Sequence, residues 1–255
     1  MNHTDATSPR GLFPACVPPL ALAGLVVLAY LNSFSGAFLF DDIRFVKFFQ
    51  NVTFPPSLEE IGRAGFAGRP FIALTFALNQ ALFGSSLLGY HLVNLALHLL
   101  AALSLYGLAA RTPAPEDARG WRWTGPGFGF LAAALWALHP VQTQAVTYIV
   151  QRCESAMGLF FFLSMYCALR GWTGARRAAW HLGSLACFVL GAASKETALI
   201  LPPVLLGYEL VFFRKPLVRT LRESPVLYGG FAALAALGSA WLLPRLWGFY
   251  ADAAT

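Results

Sequence analysis

Long apolar runs alternate with short polar gaps along most of the chain. Most runs approach the roughly 20 residues that a helix needs to cross a bilayer, so the pattern predicts an all-α, polytopic membrane bundle of about seven spans. The predicted spans cover about 12–31, 87–110, 128–138, 141–169, 181–193, 197–213 and 225–247. No long polar linker divides them, which favours a single domain over residues 1–255.

The segment between the first two spans, about 34–86, is mixed and is predicted to be an outer loop with short helices. Within it, Ser57-Leu58-Glu59-Glu60 is typical of a helix start with acidic residues in the first turn. Residues 71–83 are apolar but short for a span, which predicts a helix lying in the membrane interface.

Two later spans carry local signals. Gln144, Tyr148 and Gln151 recur at helical spacing, which predicts one continuous fourth helix from near Val141. The pair Pro202-Pro203 is expected to kink the sixth span.

The composition agrees with a membrane protein, because 57% of the residues are hydrophobic and only 12% are charged. The net charge of +6 comes from basic residues in the short gaps, where they set topology, so nucleic acid is excluded as a partner. The four cysteines show no CxxC spacing, and neither a zinc site nor a disulfide framework follows.

The basic residues predict which gaps face the cytosol. With the N-terminus inside, ten basic residues fall in inner gaps: Arg111, Arg119, Arg122, Arg170, Arg176, Arg177, Arg214, Lys215, Arg219 and Arg222. The polar clusters around Asp41, Arg69, His139, Arg152 and Lys195 then all lie on the outer face.

Asp41 and Asp42 follow the first span directly. Adjacent helical residues point about 100° apart, so one carboxylate can face a cavity while the other caps backbone or pairs with a base. Their repulsion would raise one pKa, which suits a general base. A solvated acidic helix end is the alternative.

Two charged pairs, Arg152 with Glu154 and Lys195 with Glu196, lie at the ends of predicted spans. An arginine and a lysine that converge on a dry groove would hold a phosphate well. The alternative is structural, with Arg152 paired to Glu154 and Glu196 placed to suit a helix dipole.

Three histidines, His91, His98 and His139, lie in or beside apolar runs. His91 and His139 are candidates for supporting a site near the outer edge. His98, several turns deeper, is better interpreted as a hydrogen-bonding residue between helices. No metal site is assigned, and a divalent cation stays an open question.

The ordered set FDD, RPFIALTFALNQALFG, GYHLVNLALHLL, ALHPVQTQAVTYIVQRCE and SKETALILP resembles the membrane part of a known family. That family comprises the transmembrane O-mannosyltransferases with tetratricopeptide repeats and their bacterial relatives, which are GT-C-type glycosyltransferases. The resemblance runs from about residue 40 to residue 213.

The resemblance implies transfer of a sugar, typically mannose, from a polyprenyl or dolichyl phosphate to Ser or Thr of a protein acceptor at the outer or lumenal face. It implies that the pair Asp41-Asp42 carries the catalytic carboxylate. The chemistry then assigns Arg152, Lys195 and Arg69 to the donor phosphate, with His91, His139, Glu154 and Glu196 in support. The polyprenyl tail would lie in an apolar groove between spans, and membrane lipids are a further partner.

This chain shows no repeat of about 34 residues, so a repeat-bearing partner or a further C-terminal part is expected. A truncated, non-catalytic membrane scaffold and a transporter are the alternative functions. For the host membrane, a bacterial inner membrane is favoured over the endoplasmic reticulum.

Overall fold

The structure is a computed structural model that describes residue 14 and residues 16–63, 69–113 and 124–252, with side chains through residue 238. Every regular element in these ranges is helical, which confirms the all-α class. The helices are α1 (Val17–Tyr30), α2 (Asp41–Phe49), α3 (Leu58–Arg63), α4 (Pro70–Phe83), α5 (Leu87–Ala109), α6 (Gly125–Ala137), α7 (Thr143–Thr147), α8 (Arg152–Thr173), α9 (Arg177–Ala192), α10 (Leu201–Phe213), α11 (Leu217–Glu223) and α12 (Pro225–Asp252). Short 3₁₀ segments cover Leu31–Ser35, Pro140–Gln142, Ile149–Gln151 and Glu196–Ile200.

Among the described residues, three helical stretches are long and apolar enough to cross a membrane: Val17–Ser35, Leu87–Ala109 and Glu196–Phe213. They match the first, second and sixth predicted spans, although residue 12, where the first was expected to begin, lies outside the described ranges. Helix α6 has 13 residues, about 20 Å of helix against a hydrocarbon core of about 30 Å. The remaining spans and the interfacial position of α4 stay predictions.

Helices α5 and α8 pack together at the centre of the bundle. On one side, α1 and α6 close an apolar core against α5; on the other, α9, α10 and α12 pack against α8. A third cluster joins α2 and α4 to the first turns of α5 and α8 through Phe49, Phe76 and Tyr90. The loop helices α2 and α4 therefore cover one end of the bundle.

Two local predictions for the segment of about 34–86 are confirmed, while its position on the outer side stays a prediction. Ser57 and Glu60 form the reciprocal cap at the start of α3, since Ser57 N–H donates to Glu60 Oε2 at 2.8 Å and Glu60 N–H donates to Ser57 Oγ at 3.2 Å. Helix α4 forms as predicted at Pro70–Phe83.

The prediction of one continuous fourth helix is wrong. The chain from Pro140 to Gln151 forms two 3₁₀ turns around the short helix α7, and the long helix begins only at Arg152. Tyr148 has extended backbone (φ −84°, ψ 113°), so Gln144 and Gln151 do not share a helical stripe with it. Because the helix is interrupted here, the backbone N–H of Val150 is free to donate a hydrogen bond to the Asp42 side chain on α2.

Pro202 and Pro203 lie in the first turn of α10, directly after the 3₁₀ segment Glu196–Ile200. The missing proline N–H groups cost no helical hydrogen bond at that position. The chain changes from a 3₁₀-helix to an α-helix immediately before the proline pair.

Contacts bring the polar clusters together at one end of the bundle, here named the site end. Tyr30 Oη donates to Ala137 O at 3.1 Å, which joins the last turns of α1 and α6. Phe71 N–H donates to Ala193 O at 3.2 Å, which ties the first turn of α4 to the end of α9.

The opposite end gathers basic residues. The guanidinium groups of Arg111 and Arg170 lie 5.5 and 5.9 Å from the Tyr166 ring centroid. Arg119 and Arg122 lie outside the described residues. The separation of basic and site ends fits the predicted topology, while the compartment that each end faces stays a prediction.

Gly129 allows α5 and α6 to approach closely. A Cβ at this position would lie 2.8 Å from Tyr106 O and 2.9 Å from Ala110 N, both backbone atoms. We expect Gly129→Ala to lower the free energy of unfolding by about 1–3 kcal/mol, because the helices must separate. Thermal unfolding in detergent measures this. Gly127→Ala on the same helix is the matched control, since nothing lies within 4 Å of its Cβ; an equal loss there would contradict the packing explanation.

Candidate functional site

The two adjacent carboxylates at the site end differ in exposure and contacts. Asp42 is 1% exposed; its Oδ1 accepts from Val150 N–H at 2.8 Å and its Oδ2 from Leu39 N–H at 3.2 Å. Asp41 is exposed, and its backbone N–H donates to Tyr148 Oη at 3.3 Å. The two side chains thus point in different directions, as the sequence predicts, with Asp42 turned inward and Asp41 outward.

The pKa of the Asp42 carboxyl is raised, and burial is the largest cause. The negative charge of Asp41 adds to this rise, whereas hydrogen bonds from the backbone of Leu39 and Val150 oppose it. The repulsion expected from the sequence is therefore present but smaller than the effect of burial.

Phe40, which precedes the pair, has a strained backbone. Its φ of 43° and ψ of −113° are unusual for a residue with a Cβ, and its side chain is 84% exposed. Asp42 holds this turn, because its N–H donates to Leu39 O at 2.9 Å while its carboxylate accepts from Leu39 N–H. Strain of about 1–3 kcal/mol persists only where the surroundings fix it, and it clusters at functional sites.

Arg152 is fully buried in the centre of the site end. It donates to Asn94 Oδ1 at 2.9 Å, Asn79 Oδ1 at 3.0 Å, Tyr90 O at 3.2 Å and Thr75 O at 3.3 Å. The guanidinium carbon also lies 4.3 Å from the Phe76 ring centroid. Arg152 thus links α8 to α4 and α5, and its donors point at protein acceptors.

The other predicted cations form two ion pairs beside the turn that follows α9. Arg69 Nε and Nη2 donate to the Glu196 carboxylate at 2.9–3.2 Å. Lys195 Nζ donates to Glu154 Oε1. The side chains of Arg69 and Lys195 are 31% and 20% exposed, so both cations lie at the surface and within reach of a ligand.

The three histidines occupy different environments. His98 Nε2 contacts Ala137 O at 3.0 Å and its ring stacks on Trp136, which confirms the expected interhelical contact. His139 is exposed, and its Nδ1 accepts from Val141 N–H at 3.2 Å. His91 is 2% exposed. In the described part of the chain, no three His, Cys, Asp or Glu side chains are grouped to hold a metal ion.

Two cavities open side by side at the site end. The larger, about 760 Å³, is lined by residues that include Phe40, His91 and Tyr148. The smaller, about 350 Å³, includes Glu154, the partner of Lys195. Val141 and Gln144 line both cavities, so the segment Pro140–Gln151 forms their common wall. Phe40, which precedes the acidic pair, and Glu154, which pairs with Lys195, therefore line adjacent cavities.

Sequence reasoning missed Asn79, whose amide oxygen accepts from Arg152. The amide pair Asn79-Gln80 within the apolar run RPFIALTFALNQALFG is the signal that could have indicated a buried polar partner. It also missed that Tyr148 contacts the Asp41 backbone. No local signal shows that contact, since the two residues are 107 positions apart.

Comparison with known proteins gives consistent matches. The family model described as dolichyl-phosphate-mannose-protein mannosyltransferase matches residues 68–242. Human Protein O-mannosyl-transferase TMTC2 is 29% identical over 254 residues, which cover 91% of this chain and 29% of the relative. The mouse protein of that name is 30% identical over the same shares, and Tmtc1 of Drosophila melanogaster is 35% identical over 56% of this chain and 17% of its own.

The chain thus spans 29% of the length of the two mammalian relatives. No solved structure matches it significantly. The matches confirm the resemblance that the ordered motifs indicate.

Proposed function

Since the matched family model covers most of the chain, the protein belongs to the dolichyl-phosphate-mannose-protein mannosyltransferase family, and we propose that it transfers mannose to protein hydroxyls. The donor is a polyprenyl or dolichyl phosphate mannose, and the acceptor is a Ser or Thr side chain. The observation that carries this proposal is the exposed side chain of Asp41, which directly follows the strained residue Phe40 in the wall of the large cavity.

Asp41 acts as the general base in this proposal. The acceptor oxygen attacks the anomeric carbon, its proton passes to the Asp41 carboxylate, and the bond from that carbon to the phosphate oxygen breaks with its electrons leaving on the phosphate. Asp42 is a positioning residue, because its hydrogen bonds hold Leu39 and Val150 around the turn. A single displacement of this kind inverts the anomeric centre, as in inverting glycosidases.

The leaving phosphate needs cations more than a general acid. We assign this role to Lys195 and Arg69, which are partly exposed at the site end. Both are already paired with carboxylates, so a phosphate would bind by exchanging with Glu154 and Glu196. Direct phosphate binding by Arg152 stays a prediction that its four protein contacts do not favour, and a structural role suits it better. His139 remains a supporting candidate.

The chain is a membrane protein, as its apolar helices and its family agree. The relatives compared above are animal proteins, so they give no support to the bacterial inner membrane that the sequence interpretation favours over the endoplasmic reticulum. A repeat-bearing partner or C-terminal part remains part of the proposal.

The direct test uses the purified chain in liposomes with radiolabelled polyprenyl phosphate mannose and a Ser/Thr peptide. We expect label on the peptide, released by alkaline β-elimination as an O-linked sugar should be. A nucleotide-linked mannose supplied in place of the lipid donor should give no transfer. Absence of peptide label above a heat-denatured control would overturn the proposal, and transfer from the nucleotide sugar would overturn its lipid-linked donor.

A further inference from the structure

His91 presents buried polar atoms to the large cavity without a protein partner. Its side chain is 2% exposed, and it lines the cavity of about 760 Å³. Neither Nδ1 nor Nε2 has a hydrogen-bond partner among the described residues. Buried polar groups in proteins are nearly always paired, so a histidine of this kind at a cavity wall points to a ligand group.

Gly36 lies directly beside Nε2 of His91. A Cβ at Gly36 would lie 3.2 Å from His91 Nε2 and 3.0 Å from Ser33 O. The Gly36 backbone (φ −66°, ψ −172°) is allowed for any residue, so space and not conformation favours glycine here. Any larger residue at position 36 would crowd the ring nitrogen.

The rest of the cavity wall offers neutral hydrogen-bonding groups. Amide and hydroxyl side chains line it, namely Asn32, Ser33, Thr143, Gln144, Thr147 and Tyr148. None of its described lining residues is Lys, Arg, Asp or Glu. Its volume lies within the range of small-molecule sites. Such a wall suits a neutral, hydroxyl-rich ligand and not a phosphate, which requires cations or clustered N–H donors.

The ion pair proposed to exchange with the donor phosphate lies beside the smaller cavity. The smaller cavity shares Val141 and Gln144 with the larger one and is lined by Glu154, which holds Lys195. The larger cavity suits the neutral sugar of a glycosyl phosphate, and Lys195, which pairs with Glu154 at the wall of the smaller cavity, is the cation proposed for its phosphate. We propose that the mannosyl ring of the donor occupies the large cavity and that His91 hydrogen-bonds one of its hydroxyls. This inference rests on the proposed function and identifies the subsite that recognises the sugar.

The test compares two ligands that differ only in the sugar. Affinities of the full chain for polyprenyl phosphate mannose and for polyprenyl phosphate are measured in liposomes, together with mannosyl transfer. We expect His91→Ala to weaken binding of the mannosylated lipid by about tenfold, the scale of one buried hydrogen bond, and to leave binding of the sugar-free lipid unchanged. His91→Gln, which keeps a donor and an acceptor, should restore part of the difference.

Gly36→Ala provides a second test that leaves His91 in place, in case the His91→Ala chain does not fold. It should reduce the preference for the mannosylated lipid in the same direction. Gly62→Ala is the matched control, because nothing lies within 4 Å of its Cβ.

The outcomes separate the two proposals. A wild-type chain that transfers mannose, with the preference for the mannosylated lipid unchanged in both His91→Ala and Gly36→Ala, would overturn the sugar subsite alone. A wild-type chain that discriminates between the lipids through His91 but transfers no mannose would support the subsite and overturn the proposed function.

Discussion

Asp41→Asn is expected to lower kcat for mannosyl transfer by about 10²–10⁴-fold, the usual contribution of a positioned general base. The amide keeps the size of the side chain and the Asp41 N–H contact to Tyr148, which is a backbone interaction. It cannot accept the proton of the attacking hydroxyl. Because the Asp41 side chain is exposed, the unfolding temperature should stay at the wild-type value. Initial rates with labelled donor and thermal unfolding of the same preparation measure both effects.

Asp42→Asn is the matched control, since it makes the same chemical change one residue away. An amide has one oxygen where the Asp42 carboxylate uses two, so a hydrogen bond to Val150 or Leu39 is lost. We therefore expect a lower unfolding temperature together with a smaller loss of activity. Activity abolished in Asp42→Asn at an unchanged unfolding temperature, with Asp41→Asn still active, would reverse the two assignments.

The local features of this site could be predicted from the sequence because their causes are local. Two adjacent aspartates after an apolar run already indicate one inward and one outward carboxylate, and Ser57 with Glu60 indicates a helix cap. Periodicity also predicts α5 well, since its long apolar run needs no distant partner to be recognised.

The break between Pro140 and Gln151 could not be predicted in this way. The segment has polar residues at helical spacing, namely Gln144, Tyr148 and Gln151. In the structure, however, it does not form one continuous α-helix. In exchange, the Val150 N–H reaches Asp42 and the Tyr148 hydroxyl reaches Asp41. These contacts span more than a hundred positions. A pattern within one segment carries no information about a partner so far away.

Arg152 illustrates the same limit for function. An arginine at the start of a helix near a membrane edge can face a ligand or the core, and both choices have the same local pattern. Its observed acceptors lie 58–77 positions earlier in the chain, on α4 and α5. Only the fold distinguishes a phosphate ligand from a residue that joins three helices.

Arg152→Met is expected to destabilise the protein strongly, by about 3–5 kcal/mol, because it removes one partner from a buried charged network. Methionine fills part of the space but leaves Asn79 Oδ1 and Asn94 Oδ1 without the donor that satisfies them. It also removes the positive charge that attracts the buried Asp42 carboxylate. The unfolding temperature should fall by roughly 10 °C, and the yield of folded chain should fall with it.

Arg152→Lys separates charge from geometry, since an ammonium keeps the charge but cannot reach four acceptors arranged around a planar guanidinium. If Arg152 joins helices, the lysine variant should unfold nearly as easily as the methionine variant. Arg63→Met is the matched surface control, because the Arg63 side chain is 71% exposed and forms an ion pair with Glu59 one turn earlier, so little change is expected. An Arg152→Met chain with wild-type unfolding and a raised KM for the lipid donor would instead make Arg152 a phosphate ligand, as the sequence analysis assigns it.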